Sequence, residues 1–176
     1  MRIISGKYKS LVINAPKNIP SRPTTDMAKS GLFNILHNAW NWEGKTILDL
    51  FSGTGNIAYE FASRGCQSIT AIEQNSTCIK FIKSFSQKHE MPISVLQTDV
   101  FKYLKNSSKQ YNIIFADPPY AIVEEIKSLP DLIFRNDLIK DEGWLIIETD
   151  ERSNFLDHPK LYDHRTYGGS HFWIFE

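Results

Sequence analysis

From residue 46 onward the chain alternates short apolar runs with stretches in which apolar residues recur every three to four positions. Residues 47–51 (Ile47-Leu48-Asp49-Leu50-Phe51), 69–73, 93–96, 111–116 and 144–148 have the length and apolar density of buried strands. Helical periods lie between them. They cover residues 56–64, the face formed by Cys78, Ile79, Ile82 and Phe85, a short turn over 100–104, and residues 122–139, which Pro130 divides in two. Strand alternating with helix predicts right-handed βαβ units and a parallel sheet covered on both faces. The end of the chain differs: residues 161–167 and 171–175 flank Gly168-Gly169, which predicts an antiparallel pair at one edge of that sheet.

The region before residue 46 has another character. Residues 1–15 break short apolar stretches with Ser5-Gly6-Lys7 and end at Pro16, as a small hairpin or arm does. Residues 17–23 hold Pro20 and Pro23 and read as irregular. Ala28, Leu32, Ile35, Leu36 and Ala39 then fall on one helical face, with Thr24 or Thr25 available as the cap and Asp26 suited to the first turn. There is no internal repeat, low-complexity tract or linker. One domain is expected over residues 23–176, with an arm over 1–22.

Length and composition agree: 176 residues with 41% hydrophobic content suit a single cored domain. Charge sharpens the picture. The 20 basic and 20 acidic side chains cancel, which argues against a polybasic coat or an acidic disordered tail. Their distribution is uneven, however. Residues 1–45 carry Arg2, Lys7, Lys9, Lys17, Arg22, Lys29 and Lys45 against Asp26 and Glu43, a net of +5, and the remainder carries −5. Cys66 and Cys78 are too few for a disulfide framework, and no clustered His/Cys spacing suggests a metal. The five histidines are scattered and read as surface or packing residues. No signal-peptide pattern opens the chain, and no run approaches the roughly 18 apolar residues of a membrane span, so a cytoplasmic protein without membrane contact is expected.

The turn after the first strand, Leu50-Phe51-Ser52-Gly53-Thr54-Gly55-Asn56-Ile57-Ala58, lies where open α/β sheets bind ligands. Glycines at 53 and 55 let the backbone bend and approach a ligand closely. The match to a dinucleotide fingerprint is weak by itself, and the absence of a Lys-Ser or Lys-Thr step excludes a P-loop. Asp49 separates the remaining cofactors. A carboxylate there is a poor neighbour for a pyrophosphate and a good one for the amine and sulfonium of S-adenosylmethionine. Glu73 ends the second strand, where an acid accepts ribose hydroxyls, and Asp99 follows the third, within reach of an adenine amine. Each acid taken singly is also explained as a turn cap, a solvated strand end or a helix cap. Three at successive strand ends point to a shared ligand.

Asp117-Pro118-Pro119-Tyr120 follows the apolar strand Ile113-Ile114-Phe115-Ala116. Its prolines fix φ near −65° and remove two donors, leaving a stiff loop of acceptors. Asp117 and the Pro118 carbonyl are placed to accept both N–H bonds of an exocyclic amine, and Tyr120 to stack on the attached base. With an activated methyl donor, positioning and electrostatics supply most of the catalysis.

Asp49-x-Phe51-x-Gly53-x-Gly55, Glu73 and Asp117-Pro118-Pro119-Tyr120 resemble the class I S-adenosylmethionine-dependent methyltransferases. The whole chain, more narrowly, resembles the RsmD family of 16S ribosomal RNA guanine-N2 methyltransferases. The residues that carry this are Met1-Arg2-Ile3-Ile4-Ser5-Gly6-Lys7-Tyr8, Arg22-Pro23-Thr24-Thr25-Asp26 with Leu32-Phe33-Asn34, Ser63-Arg64-Gly65, and Arg165-Thr166-Tyr167-Gly168. The chain departs from the family pattern at Lys29-Ser30-Gly31, where an acid is usual and where Gly31 costs a helix about 1 kcal/mol relative to Ala. The resemblance implies a Rossmann-like α/β fold of seven strands in the order 3-2-1-4-5-7-6, strand 7 antiparallel, helices on both faces and an N-terminal hairpin.

The expected cofactor is S-adenosylmethionine, held by Asp49, Phe51, Gly53, Gly55, Glu73, Gln74, Asp99, Val100 and Asp117. The expected catalytic loop is Asp117, Pro118, Pro119 and Tyr120. Arg2, Lys7, Lys9, Arg22, Thr24 and Thr25 are the expected RNA contacts, with Lys7 and Lys9 on phosphate. The expected partner is 16S rRNA in a small-subunit particle carrying ribosomal proteins, met by a monomer. Alternatives are amino methylation of DNA adenine N6 or of a protein glutamine, a nicotinamide dehydrogenase, and a non-catalytic RNA-binding protein.

Overall fold

A computed structural model describes residues 1–16, 19 and 25–176, the Tyr120 side chain excepted. After helix α1 (Asp26–Ala39), strands β1 (Thr46–Leu50), β2 (Ser68–Glu73), β3 (Ile93–Gln97) and β4 (Tyr111–Ala116) alternate with helices α2 (Asn56–Ser63), α3 (Ser76–Lys88) and α4 (Val100–Asn106). A 3₁₀ turn (Tyr120–Ile122), α5 (Val123–Lys127), α6 (Leu129–Arg135), β5 (Ile139–Thr149), β6 (Leu161–Tyr167) and β7 (Ser170–Phe175) follow. One seven-stranded sheet has the order β3-β2-β1-β4-β5-β7-β6. Its first five strands are parallel, and β7 runs antiparallel to β5 and β6.

Strand alternation builds two cores. Ile47, Ile113, Phe115 and Ile146 face α1, α2 and α3, where Leu32, Phe33, Phe61 and Ile82 meet them. Leu48, Leu50, Ile114, Leu145 and Ile147 face α4, α5 and α6, against Leu104, Ile126, Leu129 and Ile133. The sheet grows in opposite directions from β1 and β4, so the switch point that opens a crevice lies between their carboxyl ends. The glycine turn and the Asp117 loop both leave there.

Three local expectations change. The helix expected over 122–139 ends at Arg135, and Asp137, with φ at 53°, turns the chain so that Ile139 pairs with Tyr111. Leu138 has helical spacing, yet it is buried beneath the sheet as the entry to β5. The division falls at Ser128, with Pro130 in the first turn of α6, where its missing N–H costs nothing. The arm, expected as a hairpin, has a single antiparallel bridge, Arg2 to Val12, closed by a wide turn.

The arm is nevertheless firmly seated. The Ile4 and Ser5 amides donate to the Glu60 carboxylate at 2.8 and 3.1 Å, and the Lys7 and Tyr8 amides donate to Ser63. Ile3 and Ile13 are buried in the core of α1–α3. Glu60 also receives Arg64 at 2.9 Å and lies 3.4 Å from Lys29, whose side chain has no solvent exposure. Lys29 donates to the Arg2 carbonyl at 2.7 Å and to Asn56 Oδ1 at 2.9 Å, joining arm, α1 and α2. Gly31 has its own reason. The Tyr167 ring from β6 lies 2.6 Å from where a Cβ would stand, so the small residue lets the edge strand close on α1. His164 and His171 come together across β6 and β7, 3.0 Å apart, with His164 stacked on Trp173, which makes them packing residues.

Candidate active site

β1 delivers Asp49 to the α1–α3 face of the sheet, two residues before the turn. Phe51 then takes φ 57°, a left-handed conformation that is strained for a bulky residue and typical of ligand sites. The turn closes through Ser52 N to the Ile72 carbonyl at 3.0 Å and Gly55 N to the Ser52 carbonyl at 2.7 Å. Gly55 has φ 81°, and a Cβ there would meet the Tyr59 ring at 2.8 Å, so glycine is required twice over.

The acids of the neighbouring strands are drawn to the same turn. Glu73 accepts the Gly53 amide at 2.7 Å on one oxygen and the Gln74 and Asn75 amides, each at 2.8 Å, on the other. Asp99 caps α4 through Lys102 N at 2.8 Å and accepts Gln74 Nε2 at 2.7 Å, so the capping role open from sequence is real. Asp99 also lines the cavity, with Val100 and Phe101 beside it. Phe101 meets the Phe51 ring edge-on at 6.4 Å.

Asp49 is the outlier. It is 1% exposed, and its Oδ2 has no hydrogen-bond partner among the described residues. Burial pushes its carboxyl up to about 7, with the Ser52 hydroxyl opposing and the Glu73 charge adding to the rise. An orphaned acceptor in a cavity wall calls for a donor or a cation from a ligand.

A cavity of about 690 Å³ connects these residues to the end of β4. The ends of β1–β3 and the turns after them supply one lobe of its lining: Asp49, Phe51–Thr54, Asn56, Ile57, Ile72–Asn75, Cys78 and Asp99–Phe101. The other holds Asp117, Pro118, Pro119, Ile122, Glu125, Glu148, Ser170 and Thr25. Thr25 caps α1 by accepting Ala28 N at 3.2 Å. The structure thus brings together all the expected cofactor residues except Gly55 and all the described catalytic-loop residues. Gly55 shapes the turn from behind, and the Tyr120 side chain lies outside the described residues. Of the expected RNA contacts among the described residues, only Thr25 reaches the cavity. Arg2 and Lys9 border a separate depression of about 390 Å³ with Asp26 and Ser30, and Arg2 pairs with Asp26 at 3.2 Å. Lys7 is exposed above the Tyr8 ring, and Arg22 and Thr24 lie outside the described residues.

Comparison with known proteins agrees along the whole length. The family model described as "Conserved hypothetical protein 95" matches residues 1–176. A ribosomal RNA small subunit methyltransferase D of Buchnera aphidicola subsp. Baizongia pistaciae is 33% identical over 160 residues, covering 90% of this chain and 81% of the relative. The chain belongs to the RsmD family. A second relative, a putative rRNA methyltransferase, YlbH, of Bacillus subtilis, is 30% identical over 155 residues, 85% of this chain and 83% of its own. A solved putative methyltransferase, yhhF, of Escherichia coli overlays with a TM-score of 0.85 at 21% identity, over 99% of this chain and 96% of that one, which shows the shared fold.

An RsmD methyltransferase takes S-adenosylmethionine as its cofactor, and the residues present fit it. The unpaired Asp49 oxygen is an acceptor suited to a cationic group, the glycine turn would let a ligand approach the backbone, and Ile72, Val100 and Phe101 line the cavity as apolar walls suited to a flat ring. Sequence reasoning missed Glu148 and Ser170 in the second lobe, and it missed the buried Lys29–Glu60 pair behind Asn56. Strand alternation carries a signal for Glu148: with Ile146 on the α1–α3 face, residue 148 returns to that face, as Asp117 does after Phe115. Among the described residues no group of His, Cys, Asp and Glu is placed to hold a metal, and no helix is long and apolar enough to cross a membrane.

Proposed function

We propose that this chain methylates the exocyclic N2 of a guanine in 16S ribosomal RNA, within a small-subunit particle carrying ribosomal proteins. The observation that carries this reading is the continuity of the cavity from the orphaned Asp49 carboxylate to Asp117 and Pro118. One lobe suits a cationic cofactor, and the other presents acceptors to an amine.

When bound, S-adenosylmethionine supplies a methyl group on a positively charged sulfur. Asp49 meets the positive end, and Glu73 and Asp99 offer acceptors to hydroxyl and amino groups while holding the turn. Asp117 and the Pro118 carbonyl accept the two N–H bonds of the target amine, which keeps its lone pair out of conjugation with the base. Asp117 then takes the proton that the amine sheds. A paired guanine hides N2, so the base leaves its stack to enter the lobe. The curated relatives named for small-subunit rRNA support the RNA class, and the exposed Lys7 and Lys9 of the arm support phosphate contact there.

The test offers radiolabelled cofactor to naked 16S RNA, to small-subunit particles and to DNA. Label is expected in the particles, with less in naked RNA and none in DNA. Label in DNA or in a protein glutamine favours the alternative amine substrates and contradicts the proposal.

A further inference from the structure

The acids at the head of the sheet form a row that runs past Asp117. In β1, Asp49 is level with Phe115 of β4, and Phe115 is level with Ile146 of β5. Two residues further along β5, on the same face, stands Glu148, and Asp117 directly follows Ala116, the last residue of β4, which is level with Ile147. Asp117 and Glu148 leave neighbouring strands and line the same cavity, so these two carboxylates address a single small ligand together. Glu148 is 7% exposed, borders the lobe that holds Pro118 and Ile122, and accepts the Ser170 hydroxyl at 2.7 Å. The tight turn at Gly168-Gly169 places that hydroxyl at the cavity wall beside the carboxylate.

A second carboxylate beside the amine site has a consequence for base choice. A carboxylate only accepts hydrogen bonds. In guanine the carbon that bears N2 is flanked by N1, which carries a hydrogen, and by N3, which does not; in adenine the carbon that bears N6 is flanked by N1 with a bare lone pair and by a ring carbon. A carboxylate set on the N1 side of the amine therefore binds guanine and repels adenine, and a glutamine amide has no second donor for it. We propose that Glu148 selects the base by accepting N1–H of the guanine whose N2 amine is held by Asp117. This rests on the guanine-N2 reading above and names the residue that enforces it.

The test uses small-subunit particles reconstituted with guanine or with adenine at the methylated position. Wild-type protein is compared with Glu148→Gln, Glu148→Asp and Ser170→Ala. Three readouts are taken: kcat/KM on each particle, particle affinity without cofactor, and cofactor Kd by calorimetry. Glu148→Gln is expected to bind cofactor as wild type does, while its guanine-to-adenine ratio falls at least roughly tenfold in rate and in affinity. That is the size of losing a charge-assisted hydrogen bond and giving adenine N1 an amide donor. Glu148→Asp, with its carboxylate withdrawn by one carbon, also narrows the ratio. Ser170→Ala keeps the preference for guanine.

A ratio as wide as wild type in either Glu148 variant that binds cofactor overturns the proposal. So does loss of cofactor binding in both variants, or a Ser170→Ala protein that narrows the ratio as far as Glu148→Gln, since Glu148 then serves only to hold the turn. The wild-type arm reports separately on the parent reading: label on a base other than guanine refutes that reading first.

Discussion

Asp49 shows how a residue is held at a cost to the fold. A carboxylate whose folded pKa lies near 7, well above its unfolded value, contributes stability while protonated and loses it as pH rises toward 7. The loss amounts to up to about 4 kcal/mol for a shift of this size. A bound cation reverses the balance, because it favours the charged form. Cofactor affinity should therefore fall as pH drops through about 7, by at most about tenfold per unit, when followed by calorimetry. Asp49→Asn should flatten that profile, weaken cofactor binding, and raise the melting temperature of the cofactor-free protein at pH 8. A variant that keeps the wild-type profile removes Asp49 from the cofactor site. Asp117 belongs to the other lobe, and its replacement should separate the steps. Asp117→Ala is expected to retain cofactor binding through Asp49, Glu73 and Asp99 and to lose methyl transfer by about 10²-fold or more, as measured with labelled cofactor. Wild-type turnover in that variant would take Asp117 out of the mechanism.

At the scale of elements, the seat of the arm is a buried charge cluster. Glu60 of α2 accepts two arm amides, Arg64 and the fully buried Lys29, which in turn donates to Asn56 at the start of the same helix. Removing the shared acceptor strands Lys29 without its counter-charge, so Glu60→Ala should lower unfolding free energy by about 3–5 kcal/mol. Lys29→Met should cost less, because Glu60 keeps Arg64 and two amides. Urea denaturation of both variants checks the order, and an equal or reversed order would show that Glu60 is not the hub. Elements of this kind explain what was legible in the sequence. The strand ends Asp49, Glu73 and Asp117 were legible because period and position alone bring them to the crevice. Lys29 and Glu60 were not, because apart from Arg64 their partners lie 27 to 56 residues away and only packing reveals them. Residues 136–139 misled for a related reason: Leu138 fits a helical stripe, while Asp137 in a left-handed turn starts a strand instead. Gly31 looked like a weakness and is the space that Tyr167 fills.

The whole molecule divides its charge as it divides its work. Carboxylates of four neighbouring strands, Glu73, Asp49, Asp117 and Glu148, crowd the head of the sheet, while the basic excess of residues 1–45 includes Lys7 on the outside of the arm. Neutralising Lys7 and Lys9 to Gln should flatten the salt dependence of RNA binding by roughly one to two units of slope and leave cofactor affinity unchanged. An unchanged slope in a filter-binding series would separate the arm from RNA. The central claim is the chemistry joining the two lobes, and it is tested most directly by identifying the methylated nucleoside. Small-subunit RNA from particles treated with the protein and labelled cofactor is digested to nucleosides and analysed by mass spectrometry. The account predicts N2-methylguanosine from a single position, absent with Asp117→Ala; label in N6-methyladenosine, or in any nucleoside methylated away from an exocyclic amine, would contradict it.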